Sequence, residues 1–243
     1  MLEKIHNTTY HRYTRIGFML MGYAIMLWFC EFKINNYGLK ENFSFPVSIA
    51  GFVMLGLGVF QTKNSKLQPF VSAALGLLYI SLSLGLMLNL YAEEIANSAL
   101  MKEDRIYMIF FPLFIIGCMW INDTMAYIVG SLIGKTPLSI ISPKKTWEGT
   151  IGGILLSSVI MGYLAYVHDE WFVFGQSLSF WIFLAVCTTI AGTFGDLLES
   201  KLKRMAGVKD SGNIMPGHGG FLDRFDSLLL AIPAVWLYVY LLL

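Results

Sequence analysis

Leu178–Leu198 reads LSFWIFLAVCTTIAGTFGDLL, a run of apolar and small residues whose single charge, Asp196, comes near its end. A helix rising about 1.5 Å per residue crosses a hydrocarbon core of about 30 Å in about 20 residues, so this run is long enough to span a bilayer. Unpaired backbone polar groups are not tolerated in lipid, and a single segment satisfies its own only as a helix. Working outward, Ile16–Phe32, Phe45–Gln61, Phe70–Tyr91, Ile106–Gly134, Thr150–Val167 and Phe225–Leu243 qualify on the same grounds. The whole chain agrees with its parts. Of 243 residues, 56% are hydrophobic and 14% charged, and the mean hydropathy is +0.63, which excludes an ordinary soluble domain. An all-α polytopic membrane bundle of about seven transmembrane helices is predicted. It forms one membrane domain, with N-terminal spans in 1–105 and a second transmembrane half in 106–243.

The run Ile106–Gly134 is too long for one straight crossing and carries Asn122-Asp123 partway along. It is either one protruding helix or a broken one. The residues after the first run (Glu31, Lys33, Asn35) contain no small-residue cleavage site, so a retained helix is expected there. Cys30, Cys118 and Cys187 each sit inside apolar runs with no CxxC spacing, and read as small buried hydrophobes.

Basic residues resist translocation and therefore set orientation. Lys4, Arg12 and Arg15 precede the first run; Lys63 and Lys66 follow the second; Lys135, Lys144 and Lys145 follow the fourth; Lys201, Lys203, Arg204, Lys209 and Arg224 follow the sixth. The alternate connections hold Glu93, Glu94, Glu103 and Asp104, or His168, Asp169 and Glu170. This alternation predicts a cytoplasmic N-terminus and puts both lysine-rich loops on the cytoplasmic side. Net charge is only +1, so charge placement carries the information, and no nucleic-acid partner is expected.

Asp223 and Asp226 lie three apart at the start of the last run, and Asp196 and Glu199 repeat the spacing at the end of the preceding one. On a helix such pairs share a face. Acids at membrane depth are costly and usually functional, and Mg²⁺ takes one or two carboxylates plus substrate phosphates. Asp196, Asp223 and Asp226 are therefore candidate metal ligands. The plainer alternative has Asp223 and Asp226 capping the last helix and Asp196 paired with Lys201 or Arg204.

Between the acid pairs runs Pro216-Gly217-His218-Gly219-Gly220, which suits either a tight turn or a loop whose backbone amides approach an anion. His218 contacts a phosphate or stabilises the turn. The other polar loop reads Gly134-Lys135-Thr136, then Ser142-Pro143-Lys144-Lys145-Thr146-Trp147-Glu148-Gly149. It lacks the spacing of a Walker loop, yet its lysines and hydroxyls suit a triphosphate or a lipid phosphate. Anionic headgroups are the alternative partner for such lysines. Asn122-Asp123 either lines the site or bonds to a neighbouring helix.

The run from Ser200 through Lys203-Arg204 and Lys209-Asp210 to Pro216-Gly217-His218-Gly219-Gly220 and Asp223-Arg224-Phe225-Asp226 resembles the signature of the phosphatidate cytidylyltransferases, or CDP-diacylglycerol synthases. Ser142–Gly149 is similar to the family's second recurrent segment. The resemblance covers about residues 120–230, and Met215 stands where Leu, Ile or Phe is usual. It implies an enzyme that joins CTP to phosphatidate with Mg²⁺ as cofactor, metal ions on Asp196, Asp223 and Asp226, and a role in phospholipid biosynthesis. Lys144, Lys145, Lys203, Arg204 and Lys209, with His218, Gly219 and Gly220, are the expected nucleotide and phosphate contacts, and Asp123 is expected to order the site. The implied partners are CTP, phosphatidate and membrane lipid, with a homodimer as a candidate assembly. A related CTP-dependent transferase or kinase acting on a polyprenol or ether lipid stays open, as does a cation-coupled transporter.

Overall fold

The computed structural model describes residues 2–7, 9–30, 33–34, 37–61, 67–97, 110–168, 177–212 and 219–242. Among these the chain is helical almost throughout. It runs α1 (Leu2–Ile5), α2 (Arg12–Trp28), a two-residue antiparallel ladder of β1 (Lys33–Ile34) with β2 (Tyr37–Gly38), and α3 (Leu39–Gln61). Then come α4 (Leu67–Leu77), which continues through a π-helical turn at Leu78–Leu82 into α5 (Ser83–Asn97), and α6 (Phe110–Ile133), α7 (Trp147–Val167), α8 (Leu178–Met205) and α9 (Leu222–Leu242).

Six stretches of the described residues are long and apolar enough to cross a membrane: Leu39–Gln61, Phe70–Leu90, Pro112–Ile133, Trp147–Val167, Leu178–Met205 and Leu222–Leu242. The protein is a polytopic all-α membrane protein. The first expected span corresponds to α2, whose 17 residues reach about 25 Å at the helical rise. Asn122-Asp123 does not break α6, which runs continuously from Phe110 to Ile133. In contrast α8 is longer than its apolar run, at 28 residues, or about 42 Å. Lys201, Lys203 and Arg204, expected in a loop, instead form its last turns. Within these turns Lys203 pairs with Glu199 four residues earlier, which supports the helix. It stops at Gly207 (φ 63), where the Val208 amide donates to the Lys203 carbonyl at 3.0 Å, the Schellman way of satisfying a final carbonyl.

Met1–Glu93 with Met205–Gly207 form one compact unit, and Glu94–Arg204 with Val208–Leu243 form another. In the first, α2 packs along α3 through a seam of small residues. A Cβ on Gly58 would lie 2.7 Å from the Thr14 backbone nitrogen, and one on Gly17 2.8 Å from that of Leu55. The second unit uses the same device four times over. Gly149 and Gly153 bring α7 onto α6, where added Cβ atoms would meet the Ala126 carbonyl at 2.7 Å and the Asn122 carbonyl at 2.9 Å. Gly162 backs onto Ile182 of α8, with Cα 3.1 Å away, and Gly195 of α8 backs onto the Asp226 carbonyl of α9 at 2.6 Å. Lipid offers no hydrophobic drive between helices, so such close van der Waals fits are what hold them together. Around these seams Ile115, Cys118, Trp181, Leu184, Ile232 and Val235 are fully buried.

Gly153→Val is expected to separate α6 from α7, because the neighbouring atoms are backbone and the Ala126 Cβ at 2.8 Å and cannot swing away. Overpacking of this kind costs about 1–3 kcal/mol, measurable as a fall in the thermal midpoint of the detergent-solubilised protein. Gly56→Ala serves as the control. Among the described residues no atom lies within 4 Å of a Cβ placed there, and replacing a helical glycine by alanine is neutral or stabilising by up to about 1 kcal/mol.

Candidate active site

Where α6 and α8 end and α9 begins, the second unit encloses a cavity of about 880 Å³. One face of α6 supplies its long wall. Ile116, Met119 and Trp120 are apolar; one turn later the wall becomes Asn122 and Asp123, then Ala126 and Tyr127. The exposed Asp123 carboxylate opens into this space, while Asn122 is buried and its Oδ1 has no hydrogen-bond partner among the described residues. The polar pair therefore belongs to the cavity wall.

The loop between α6 and α7 folds back on itself. Pro137 bridges to Thr146, the Leu138 amide donates to the Lys145 carbonyl at 2.7 Å, and the Trp147 amide donates to the Thr136 carbonyl at 2.9 Å. Thr146 is the N-cap of α7, its hydroxyl accepting from the Gly149 amide at 3.1 Å, as hydroxyl residues do at this position. Glu148 closes the loop's other end. Its carboxylate accepts from the Thr136 hydroxyl at 2.8 Å and from the Lys135 and Thr136 amides at 3.2 Å. Lys144 and Lys145 are thereby presented to the cavity from a pinned turn rather than a free strand. Lys145 crosses the cavity to form an ion pair with Asp196 of α8.

Helices α8 and α9 bring four carboxyl groups together as two rungs, one turn apart. On the first rung the Asp196 and Asp226 carboxyls meet, and Asp226 Oδ1 accepts from the Ser227 amide at 2.6 Å. On the second, Glu199 faces Asp223. Here Lys203 sits between the acids, its Nζ 2.5 Å from Glu199 and 3.0 Å from Asp223. Asp223 also holds the two described ends of the α8–α9 loop. Its Oδ2 accepts from the Ser211 amide at 2.8 Å, the Ser211 hydroxyl at 2.9 Å and the Gly220 amide at 2.7 Å. Only glycines permit this approach. Gly219 has φ 84, and a Cβ on Gly220 would strike the Ser211 hydroxyl and lie 2.9 Å from Gly212 Cα.

Of the residues singled out from sequence, Asp123, Lys144, Lys145, Asp196, Asp223 and Asp226 all line this cavity. Gly219 and Gly220 reach it through Asp223. Lys203 is committed to two carboxylates and does not line it, and Arg204 and Lys209 are exposed outside it. His218, with Pro216 and Gly217, lies outside the described residues, as do the loop charges Lys63, Lys66, Glu103, Asp104, Asp169 and Glu170. Ser211, Ser227 and the loop-closing role of Glu148 were not anticipated. Thr146, a threonine directly before the run that begins at Trp147, carried a legible capping signal; Ser211 carried none, because its partner is set by tertiary structure.

Among the described residues no three His, Cys, Asp or Glu side chains gather closely enough to hold an ion by themselves. The Asp196–Asp226 rung nevertheless fits Mg²⁺, which commonly binds through one or two carboxylates and completes its shell with water and substrate phosphates. Two carboxyls in contact, both lining the cavity, form a donor set suited to a hard cation.

The profile of the cytidylyltransferase family matches residues 1–242. A phosphatidate cytidylyltransferase of Staphylococcus saprophyticus is 32% identical over 233 residues, covering 89% of this chain and 88% of the relative. The phosphatidate cytidylyltransferase of Staphylococcus haemolyticus is 42% identical over 135 residues, 54% of this chain and 48% of the relative. That of a Synechocystis species is 44% identical over 130 residues, 52% of this chain and 42% of the relative. Against these last two, the chain spans less than half of the relative's length.

Proposed function

The chain belongs to the cytidylyltransferase family, and from that premise we propose that it transfers CMP from CTP to phosphatidate, giving CDP-diacylglycerol and pyrophosphate. The single observation that carries this reading is the composition of the cavity. Carboxylates and lysines share one space with the apolar wall of Ile116, Met119 and Trp120. A water-soluble nucleotide and a lipid phosphate need just such a boundary between polar and apolar surface. We place the polar end at the cytoplasmic face, in keeping with the lysine bias of the loops.

A phosphate oxygen of phosphatidate attacks the α-phosphorus of CTP; the new P–O bond forms as the bond to the β,γ-pyrophosphate breaks. A phosphate monoester is already largely ionised near neutral pH, so no strong base is required. The obstacle is that two anions must meet. Lys144 and Lys145 supply positive charge from the pinned turn, and Asp123, on the α6 wall, orders the site. Asp196 and Asp226 would hold Mg²⁺. When bound, the ion neutralises phosphate oxygens and polarises the α-phosphorus. Asp223, the third aspartate expected on the ion, is engaged by Ser211, Gly220 and Lys203 and fastens the described loop ends beside this pair. Position and charge supply the rate.

Purified protein incubated with labelled CTP and phosphatidate is expected to yield CDP-lipid and pyrophosphate in equal amounts. Chelation of divalent cations should reduce the yield by at least about 10²-fold. Labelled CDP-lipid formed only from a polyprenol phosphate or ether-lipid acceptor would move the reading to a related transferase. No CMP transfer to any lipid phosphate would end it.

A further inference from the structure

We propose that Glu199 and Lys203 are positioning residues, which act through Asp223 to fasten the two described ends of the α8–α9 loop, at Ser211 and Gly220, to the start of α9, and that Lys203 is not a phosphate ligand. Glu199 is the most deeply buried charged residue described, with 0% exposure. A buried carboxylate is costly unless paired; Glu199 is paired with the Lys203 ammonium, and that ammonium is itself tied to a second helix. The arrangement makes sense only as part of a longer connection.

That connection can be followed atom by atom. Glu199 holds Lys203 at 2.5 Å, and Lys203 reaches across from α8 to Asp223 of α9 at 3.0 Å. Asp223 then receives the Ser211 amide and hydroxyl and the Gly220 amide at 2.7–2.9 Å. One carboxylate thus fastens both described ends of the loop, and one lysine fastens that carboxylate. Lys203, only 17% exposed in its side chain, lies between two acids. A phosphate seeking it would have to displace both, whereas Lys144 and Lys145 already line the cavity. Glu199 supplies the second negative charge that keeps Lys203 on the α8–α9 seam.

The kinetic arm of the test rests on the CTP reading above; the exchange arm does not. Hydrogen exchange of the Ser211 and Gly220 amides is measured in full-length protein without substrate, for wild type, Lys203→Met, Lys203→Arg and the double variant Glu199→Gln/Lys203→Met. The double variant removes the buried charge at both positions of the α8 pair, so its thermal midpoint should return close to wild type. Lys203→Met and the double variant are both expected to exchange these two amides at least tenfold faster and to lose at least tenfold in kcat/KM for CTP, with the KM for phosphatidate changed less than twofold. Lys203→Arg should restore protection. A folded double variant with wild-type exchange at Ser211 and Gly220 overturns the proposal, as does Lys203→Met with wild-type kcat/KM for CTP. Faster exchange in a protein whose wild type makes no CDP-lipid would support the loop role while removing the CTP reading.

Discussion

Asp226→Asn is expected to lower turnover by about 10³-fold while the protein still elutes as a folded species in detergent. Asn keeps the size of the side chain and an oxygen to accept the Ser227 amide, now bonded at 2.6 Å, so local structure survives. What disappears is one of the two negative charges that meet on the first α8–α9 rung. In the proposed mechanism, that charge would help Asp196 hold Mg²⁺. Removing one preorganised electrostatic contact at a reacting phosphoryl or acyl centre typically costs about 10²–10³-fold, roughly 3–4 kcal/mol; loss of a direct ion ligand belongs at the upper end. Steady-state assay across a Mg²⁺ titration is the check. A variant within threefold of wild type at saturating Mg²⁺ would remove Asp226 from the ion's ligands.

The second large effect is expected at Lys145. Its partner Asp196 lies next to Asp226, so Lys145→Met leaves two adjacent carboxylates without the cation that faces them. It also deletes a positive charge from the phosphate-binding side of the cavity. Truncating one partner of a partly buried charge pair costs about 2–5 kcal/mol, much of it from the group left behind. A fall of about 10²-fold in kcat/KM for CTP is therefore expected. Lys144→Met is the informative comparison: Lys144 is exposed on the same turn, and a loss of about tenfold or less is expected there. Equal effects at the two positions would mean that the turn contributes only net charge, not a directed contact to Asp196.

The membrane spans could be read from sequence because hydrocarbon thickness imposes one requirement on length and polarity, and Leu178–Leu198 meets it without reference to any other segment. The end of α8 could not. Ser200–Arg204 has the composition of a solvated loop, yet it continues α8, with Lys203 paired to Glu199 four residues earlier. The acids show the same division. Their spacing of three on two consecutive helices was visible and implied shared faces; which acid meets which depends on the register between α8 and α9, and hence on Gly195. Lys203 was expected among the phosphate contacts, and its ties to two carboxylates were not foreseen. Its two carboxylate partners come from its own helix and from twenty residues downstream, and the second of these is invisible to local pattern.

Gly195 precedes Asp196, and its missing side chain lets the Asp226 carbonyl approach to 2.6 Å from where a Cβ would stand. The thickness of one methyl group therefore sets the gap between the two carboxylates. Helix packing and catalytic spacing are the same dimension of the molecule, so the two cannot be optimised separately. A substitution that filled this seam to toughen the protein against heat would act as a lesion in its chemistry, although it touches no charged atom. Attempts to make the protein more robust belong on the outward-facing sides of α3 and α7, where side chains such as Phe52 and Leu155 are exposed.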